Sequence, residues 1–455
     1  MRKIITLAIV AIAIVGCSLA PRYETPQTLL PSSEENATIS KTWWKQFNDP
    51  ALDRLMDEAL ENNMDVMLAV ANIAKARAAL GMASAQLYPS LNAAADASRS
   101  ETKASGSWVD SESYSLGGVL SYELDLWGRL RDAKQAALSS LLAMEATKDA
   151  AFLSLSASVA ENYFTLLTLE RNIDSVQNLL NFKKAGYVMR KRQYTAGAIS
   201  ELVFARVEAD ISGTTAQLEE LLYRREAAAT ALAVLIGRSP KAIVEDRILL
   251  AKTAPNVTIS TINLPSDLIN RRPDIKAAEE NLKAANYAIG QARAAYFPSI
   301  SLTGSAGYKS SEFGDLMNSS SAVTQIGGGI SLPIFDFGRI GANVDSAKAD
   351  KDRAIIGYRQ SVQKAFSEAH NALIRRDLSI RRLSNAKAQS DALERAMQLT
   401  RRQYEAGYMD YIEVIEAEGL FLNAKINEND MRLENLSAIV NLFKALGGGW
   451  EAKPK

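Results

Sequence analysis

Apolar and polar positions change period at fixed places along the chain. Leu91, Ala93, Ala95 and Ala97 alternate with Ser90, Asn92, Asp96 and Ser98. After a polar turn near 105–110, Tyr114, Leu116, Gly118, Leu120, Tyr122 and Leu124 alternate with Ser113, Ser115, Gly117, Val119, Ser121 and Glu123. Period two predicts two strands, each with one apolar and one polar face. The next stretch, 129–196, has no proline and a single glycine, Gly186. Within it Phe152, Leu155, Val159, Tyr163 and Leu166 stand at steps of three and four, the spacing of a packed helix. At ~1.5 Å per residue this rod is about 100 Å long. Globular helices average roughly 12 residues, so this one is no ordinary element.

The same plan recurs. Gly128 and Gly338 are 210 positions apart, as are Gly197 and Gly407. Tyr122 to Arg129 ends in Trp-Gly-Arg, and Ser331 to Arg339 ends in Phe-Gly-Arg. Gln193-Tyr-Thr-Ala-Gly197 reappears as Gln403-Tyr-Glu-Ala-Gly407. An internal repeat of about 210 residues is the strongest structural signal in the chain. Repeat 1 covers 49–237: one helix over 51–87, a hairpin about 90–126, the long helix about 129–196 and a helix over 200–236. Asp49 is a fair N-cap and Pro50 a fair first helical residue for that opening helix. Repeat 2 covers 274–446: a helix, a hairpin about 299–335, a long helix about 339–406 and a helix over 410–446. The return strand of its hairpin carries Ile326, Ile330, Leu332 and Ile334. Between the repeats, 238–273 holds four prolines and reads as a connector, and 447–455 as a tail.

Composition narrows the function. Of 455 residues, 52 are basic and 52 acidic, which argues against a nucleic-acid binder driven by bulk charge. The paired arginines read as solvated helix faces. Arg2 and Lys3 precede an apolar run that ends at Val15-Gly16-Cys17, the layout of a secretory signal over 1–16. Cys17 is the sole cysteine, so no intramolecular disulfide exists. His370 is the sole histidine, and no metal-spaced Cys/His set or phosphate-cradling loop is present. The chain therefore reads as no enzyme, without metal or soluble cofactor. No later stretch reaches ~18 consecutive apolar residues, so a bilayer crossing is expected through a β-barrel. Four strands are too few to close one, because membrane barrels start at about eight. Several copies must supply them: two give eight strands, three give twelve, and the pattern does not choose.

The chain resembles the TolC-like outer-membrane efflux family, in the lipoprotein branch that serves resistance–nodulation–division (RND) pumps. The features that carry the resemblance are the lipoprotein-like start at Cys17, Trp43-Trp44 with Phe47 and Asp49-Pro50, Tyr122 to Arg129, Arg271-Arg-Pro-Asp-Ile275, Phe297 to Leu302, and Ala445 to Gly449. They span nearly the whole chain in order. The resemblance implies a mixed α+β fold of mostly long α-helices. It implies a homotrimer whose 12-stranded outer-membrane β-barrel continues into a periplasmic α-helical barrel with an equatorial domain. It further implies diacylglycerol and an N-acyl chain on Cys17, with 17–48 as a lipidated tether making equatorial contacts. Expected partners are a periplasmic adaptor protein, an inner-membrane RND transporter and outer-membrane lipid, with no nucleic acid.

By the same resemblance the turns at Gln193, Tyr194, Gly197, Gln403, Tyr404 and Gly407 contact the adaptor. Glu413 and Glu416, three apart on one helix face, form a carboxylate ring at the periplasmic gate, and Tyr404 helps to hold it closed. Their counterparts in repeat 1 are Val203 and Arg206, so one repeat supplies the acids. Many relatives carry arginine just before the tyrosine; this chain has glutamine there, with Arg192 and Arg402 one residue earlier, and Met409 stands where one well-known relative has an arginine past the turn. The expected function is a passive, gated exit duct for drugs or other small toxic compounds. A duct for type I protein secretion and a trimeric surface lipoprotein without a pore are the alternatives.

Overall fold

The computed structural model describes residues 18–26, 42–104, 106–246, 248, 250 and 272–448. The candidate lipidation at Cys17, most of the 238–273 connector and the tail beyond 448 lie outside them. In chain order the elements are α1 (Pro50–Asn62), α2 (Met64–Ala85), β1 (Ser90–Ala104), β2 (Ser107–Leu124), α3 (Arg129–Thr195), α4 (Glu201–Leu235) and α5 (Pro240–Glu245). Then come α6 (Pro273–Ala294), β3 (Ser299–Ser310), β4 (Ala322–Ser331), α7 (Arg339–Glu405) and α8 (Tyr411–Ala445). Two compact units divide them: 1–28, 71–146 and 276–361 in the first, 29–70, 147–275 and 362–455 in the second.

The first unit holds one antiparallel sheet in the order β1-β2-β3-β4. Its register gathers most of the large apolar residues of the four strands onto one face, with Val109, Val119 and Val323 on the other. Leu91 pairs with Leu120, Leu116 with Tyr308, Tyr122 with Leu302, and Ile300 with Ile330. Ser115 pairs with Lys309 and Ser305 with Gln325 on the other face. Apart from Phe313, whose ring meets Tyr114, the apolar face is largely bare among the described residues: Leu91 is 73% exposed and Ile326 91%. The first hairpin turns more tightly than the sequence suggests. β2 begins at Ser107, beside Gly106 at φ 89°, and Arg99 meets Asp110 at 2.7 Å across the strands. The fourth strand is shorter than expected. It ends at Ser331, so Leu332 and Ile334 lie beyond it, next to Pro333, which has no N–H to donate to a ladder. Below the sheet Trp127 Nε1 donates to the Pro298 carbonyl (2.8 Å) and its ring stacks on Phe297.

Residues 18–23 of this unit run along α6 in the opposite direction to it. Ser18 Oγ donates to Asp132 (2.7 Å), Arg293 to the Leu19 carbonyl (3.3 Å) and Asn286 to the Pro21 carbonyl (2.7 Å). Gly290 leaves the room for this strap, since a Cβ there would lie 2.6 Å from the Ala20 nitrogen.

The second unit has the apolar core. A 3-10 turn, Trp43–Phe47, inserts Trp43, Trp44 and Phe47 among α1, α3, α4 and α8. Trp43 stacks on Phe443 at 5.2 Å and Phe47 meets Phe164 at 4.9 Å. Asp49 serves two elements: one carboxylate oxygen caps α1 through Ala51 N (2.9 Å), and the other accepts from Tyr163 Oη (2.5 Å).

The single helix expected over 51–87 is two helices. Asn63 breaks it at an extended backbone (ψ 131°) and caps α2 through Asp65 N (2.9 Å), while its amide donates to the Leu235 carbonyl (2.8 Å). By length and composition the run Pro50–Ala85 is apolar enough to cross a membrane. That hydropathy comes from alanine and methionine together with Val66, Leu68, Val70, Ile73 and Leu80, is interrupted by Asp65, Lys75 and Arg77, and belongs to a largely exposed surface, with Met64 and Met82 each 67% exposed.

Candidate functional site at the helix turns

The long rods α3 and α7 both end in a left-handed glycine, Gly197 at φ 72° and Gly407 at φ 78°. Each turn closes by the same two bonds. Gly197 N donates to Tyr194 O (2.9 Å) and Ala198 N to Gln193 O (2.8 Å); Gly407 N donates to Tyr404 O and Tyr408 N to Gln403 O, both 2.9 Å. This pattern satisfies carbonyls that the helix end leaves open, and a side chain at the glycine would strain it. The backbone at the two turns is thus repeated, and the side chains are not.

At the first turn Tyr194 lies flat on Phe204 (4.8 Å, 2° between planes), which also stacks with Tyr187. At the second, Tyr404 packs against Tyr411 (5.4 Å), and Arg190 of α3 lies against both rings. The Arg190 guanidinium carbon lies 3.8 Å from the Tyr411 ring centre and 4.9 Å from that of Tyr404. It donates to Gln193 Oε1 (2.6 Å) and to Tyr404 Oη. Arg190 is 6% exposed, so these contacts act in a partly dry setting, where cation–π attraction is strongest. Burial raises the Tyr411 phenol, nearby Glu418 adds to this, and Arg190 opposes it.

Each repeat also carries its own buried ion pair. Lys183 of α3 donates to Asp210 (2.7 Å) and Thr214 (3.0 Å) of α4. Arg401 of α7 sends Nε and Nη2 to one oxygen of Glu418 on α8, at 3.0 and 2.8 Å. Burial raises the Glu418 carboxyl, with Arg401 pulling the other way.

Tyr411, Val414, Glu418 and Leu422 line the packed side of α8. Glu413 and Glu416 stand exposed, roughly 150° around it by helical geometry. Neither makes a salt bridge among the described residues. So Gln193 and Tyr404 are brought together through Arg190, Tyr194 joins a separate aromatic stack, and the two acids face away from both. Gln403, Arg192 and Arg402 are exposed. The arginine that meets Tyr404 is therefore Arg190, which sequence reasoning passed over. One signal was available: its counterpart 210 positions on is Thr400.

A family profile described as Outer membrane efflux protein matches residues 55–238 and 264–448. The chain belongs to the outer membrane efflux protein family. Each of the two matched segments falls almost wholly within one repeat. The toluene efflux pump outer membrane protein TtgC of Pseudomonas putida is 32% identical over 99% of this chain and 96% of that protein. The cation efflux system protein CusC of Escherichia coli O157:H7 is 31% identical over 97% of this chain and 98% of that protein. Among solved structures, the CmeC outer membrane channel of Campylobacter jejuni superimposes with a TM-score of 0.90 at 30% identity, covering 96% of each chain. This chain is accordingly an outer-membrane protein with the role of an efflux channel.

Proposed function

We propose that this chain forms the outer-membrane exit duct of a tripartite RND-type efflux pump, passing drugs or other small toxic compounds from periplasm to exterior. The observation that carries this reading is the sheet. It has four strands, one largely apolar face exposed, and the outer edges of β1 and β4 unpaired among the described residues. Lipid offers no partner for an open edge, so the edges must meet those of other copies. Three copies supply twelve strands. The exposed apolar residues of α2 are likewise suited to cover by a neighbouring helix. Full-length similarity to proteins of toluene and cation efflux systems supports the pump assignment.

In this reading Cys17 carries the diacylglycerol and N-acyl chain, and the residue 18–23 strap ties that anchor to α6. The turns at Gln193, Tyr194, Gly197, Gln403, Tyr404 and Gly407 meet a periplasmic adaptor, which in turn joins an inner-membrane RND transporter. Glu413 and Glu416 of three chains place six carboxylates around the periplasmic opening, a ring that favours cations. Arg190, Tyr404 and Tyr411 form the latch between repeats that must part when the tip opens. Deleting the gene and measuring drug sensitivity beside secreted protein tests the assignment. Raised drug sensitivity with normal secretion is expected; lost secretion with unchanged drug tolerance overturns it. Cys17→Ser is expected to end incorporation of labelled fatty acid, and continued labelling refutes the anchor.

A further inference from the structure

A cavity of about 350 Å³ opens between α3, α7 and α8, on the side of Glu418 away from the turns. Leu179, Phe182, Met397, Phe421 and Leu422 give it apolar walls. Glu418, 1% exposed, is part of its lining. One Glu418 oxygen takes both Arg401 hydrogen bonds; the other, Oε2, is buried and accepts none. Leaving a buried acceptor unsatisfied is unfavourable, and native structures rarely tolerate it. Among the described residues no donor reaches this oxygen. Lys183 is engaged with Asp210 and Thr214, and Arg401 is fixed over the Phe182 ring at 4.0 Å.

The charges around the cavity decide what would fit. Arg401 and Lys425 stand on its lining, each partly exposed, and Lys425 is paired with Glu428 at 2.9 Å. A cationic ligand would approach two cations. An anionic ligand would be pressed against the buried carboxylate. A neutral molecule with one hydroxyl donor meets neither objection, and an aromatic body suits walls that include two phenylalanines. The volume lies at the small end of the range for small-molecule sites, enough for one or two rings. We infer that this cavity binds neutral aromatic alcohols of the phenol class, with the hydroxyl donating to Glu418 Oε2 and the ring held by Phe182, Phe421 and Leu422. The inference does not depend on the duct reading, since it uses only the packing of three helices.

The test uses full-length protein in lipid nanodiscs and ligand-observed fluorine NMR with 4-fluorophenol, 4-fluorotoluene and 4-fluorobenzylamine. Saturable binding of the phenol is expected, at least tenfold tighter than that of the toluene, which lacks the donor, and than that of the amine, which is charged. Asn178→Trp at the exposed mouth and Leu422→Trp in the wall are expected to abolish it. Should either variant fail to fold, the three-ligand series on the native protein still decides. Equal, non-saturating partition of phenol and toluene overturns the inference, because lipid alone then accounts for uptake. So does tighter binding of the amine. Saturable phenol binding that persists in both folded variants also overturns it, since the site is then elsewhere.

Discussion

Removing the Arg190 guanidinium is the sharpest test of the latch. In Arg190→Met the chain length and much of the packing are kept, while two charge-assisted hydrogen bonds and two ring contacts go. Hydrogen bonds to a charged group contribute about 1.5–3 kcal/mol each, and desolvated cation–π contacts about 2 kcal/mol. Against these stands Arg190 Nε, which is buried without a hydrogen-bond partner and already costs about 1–3 kcal/mol in the closed arrangement. The Tyr404 hydroxyl also regains water once the tip parts. These contacts share one guanidinium and do not add fully, so a net weakening of at least about 2 kcal/mol per chain is expected, or at least about 30-fold in the closed-to-open equilibrium. Three independent latches in one trimer would reach about 6 kcal/mol if their effects add.

Single-channel recording in planar bilayers reads this directly as the fraction of time closed. Arg190→Met should be the most open. Arg190→Lys should lie between it and the native protein, because an ammonium keeps the charge and loses the planar fork that reaches Gln193 and Tyr404 together. Tyr404→Phe keeps the ring and removes one hydrogen bond, so it should be the mildest. If the Arg190→Met protein melts like the native one and remains equally closed, Arg190 is packing and the latch is elsewhere.

Other outcomes follow from the same geometry. Glu413→Gln with Glu416→Gln should weaken cation preference, read as a shifted reversal potential, with stability changed by less than about 0.5 kcal/mol because both side chains are exposed; unchanged selectivity removes them from the gate. Burial raises Glu418 above its ordinary value, so the folded chain holds a proton that the unfolded chain has lost. Stability from this group is therefore greatest at low pH and falls as pH rises from the ordinary glutamate range through the raised folded value. Glu428, buried but lowered by Lys425 and Arg432, has the opposite sign: its contribution is present above the ordinary value and disappears as pH falls through the folded one. Thermal melting across pH should show Glu418→Gln removing the first trend and Glu428→Gln the second; parallel curves for all three proteins refute both. Gly237→Ala should destabilise by more than about 2 kcal/mol, because φ is 76° and the new Cβ would lie 2.2 Å from the Asn62 carbonyl oxygen; a native-like melting temperature contradicts this.

Parts of this molecule were legible because their cause is local. A strand with one wet face must alternate, and β2 does so from Tyr114 to Leu124. A helix of 67 residues cannot contain proline, and neither α3 nor α7 does. The turns announce themselves because only glycine enters the left-handed region without strain, at Gly197 and Gly407 alike. What was not legible depends on partners distant in sequence. Asn63 sits in Glu61-Asn-Asn-Met64 with no proline or glycine to mark a break. Its cap is paired with a bond to Leu235, 172 positions away. Arg190 reaches Tyr404 across 214 positions, and nothing in its neighbours marks it as buried. Leu332 and Ile334 continue an apolar alternation after the ladder has stopped at Ser331, because the pattern reports preference for a face and is blind to whether a backbone partner is present.

The distribution of contacts near the turns says how the four helices can move. Lys183–Asp210 fastens α3 to α4 and Arg401–Glu418 fastens α7 to α8, each through a side chain less than 6% exposed. Breaking either pair would strand a buried charge, so each hairpin should move as one body. Between the hairpins, at the turns themselves, the link is Arg190 with its two tyrosines. Arg401 of α7 over the Phe182 ring of α3 (4.0 Å) is a second link, and the next hydrogen bond across the repeats among the described residues is Asn429 donating to Asn172 (2.8 Å), which also bonds Asp430 (3.3 Å). It lies 18 residues along α3 from Arg190, or about 27 Å. Leu422 packs among Ile173, Val176 and Leu218 in the same region. Release of Arg190 together with the Arg401–Phe182 contact would therefore free two stiff hairpins to swing about a buried amide and leucine pivot, with no helix unwound. The duplication supplies two matching levers, and the residues that break the duplication, Arg190 against Thr400 and Tyr411 against Glu201, join them at the moving end.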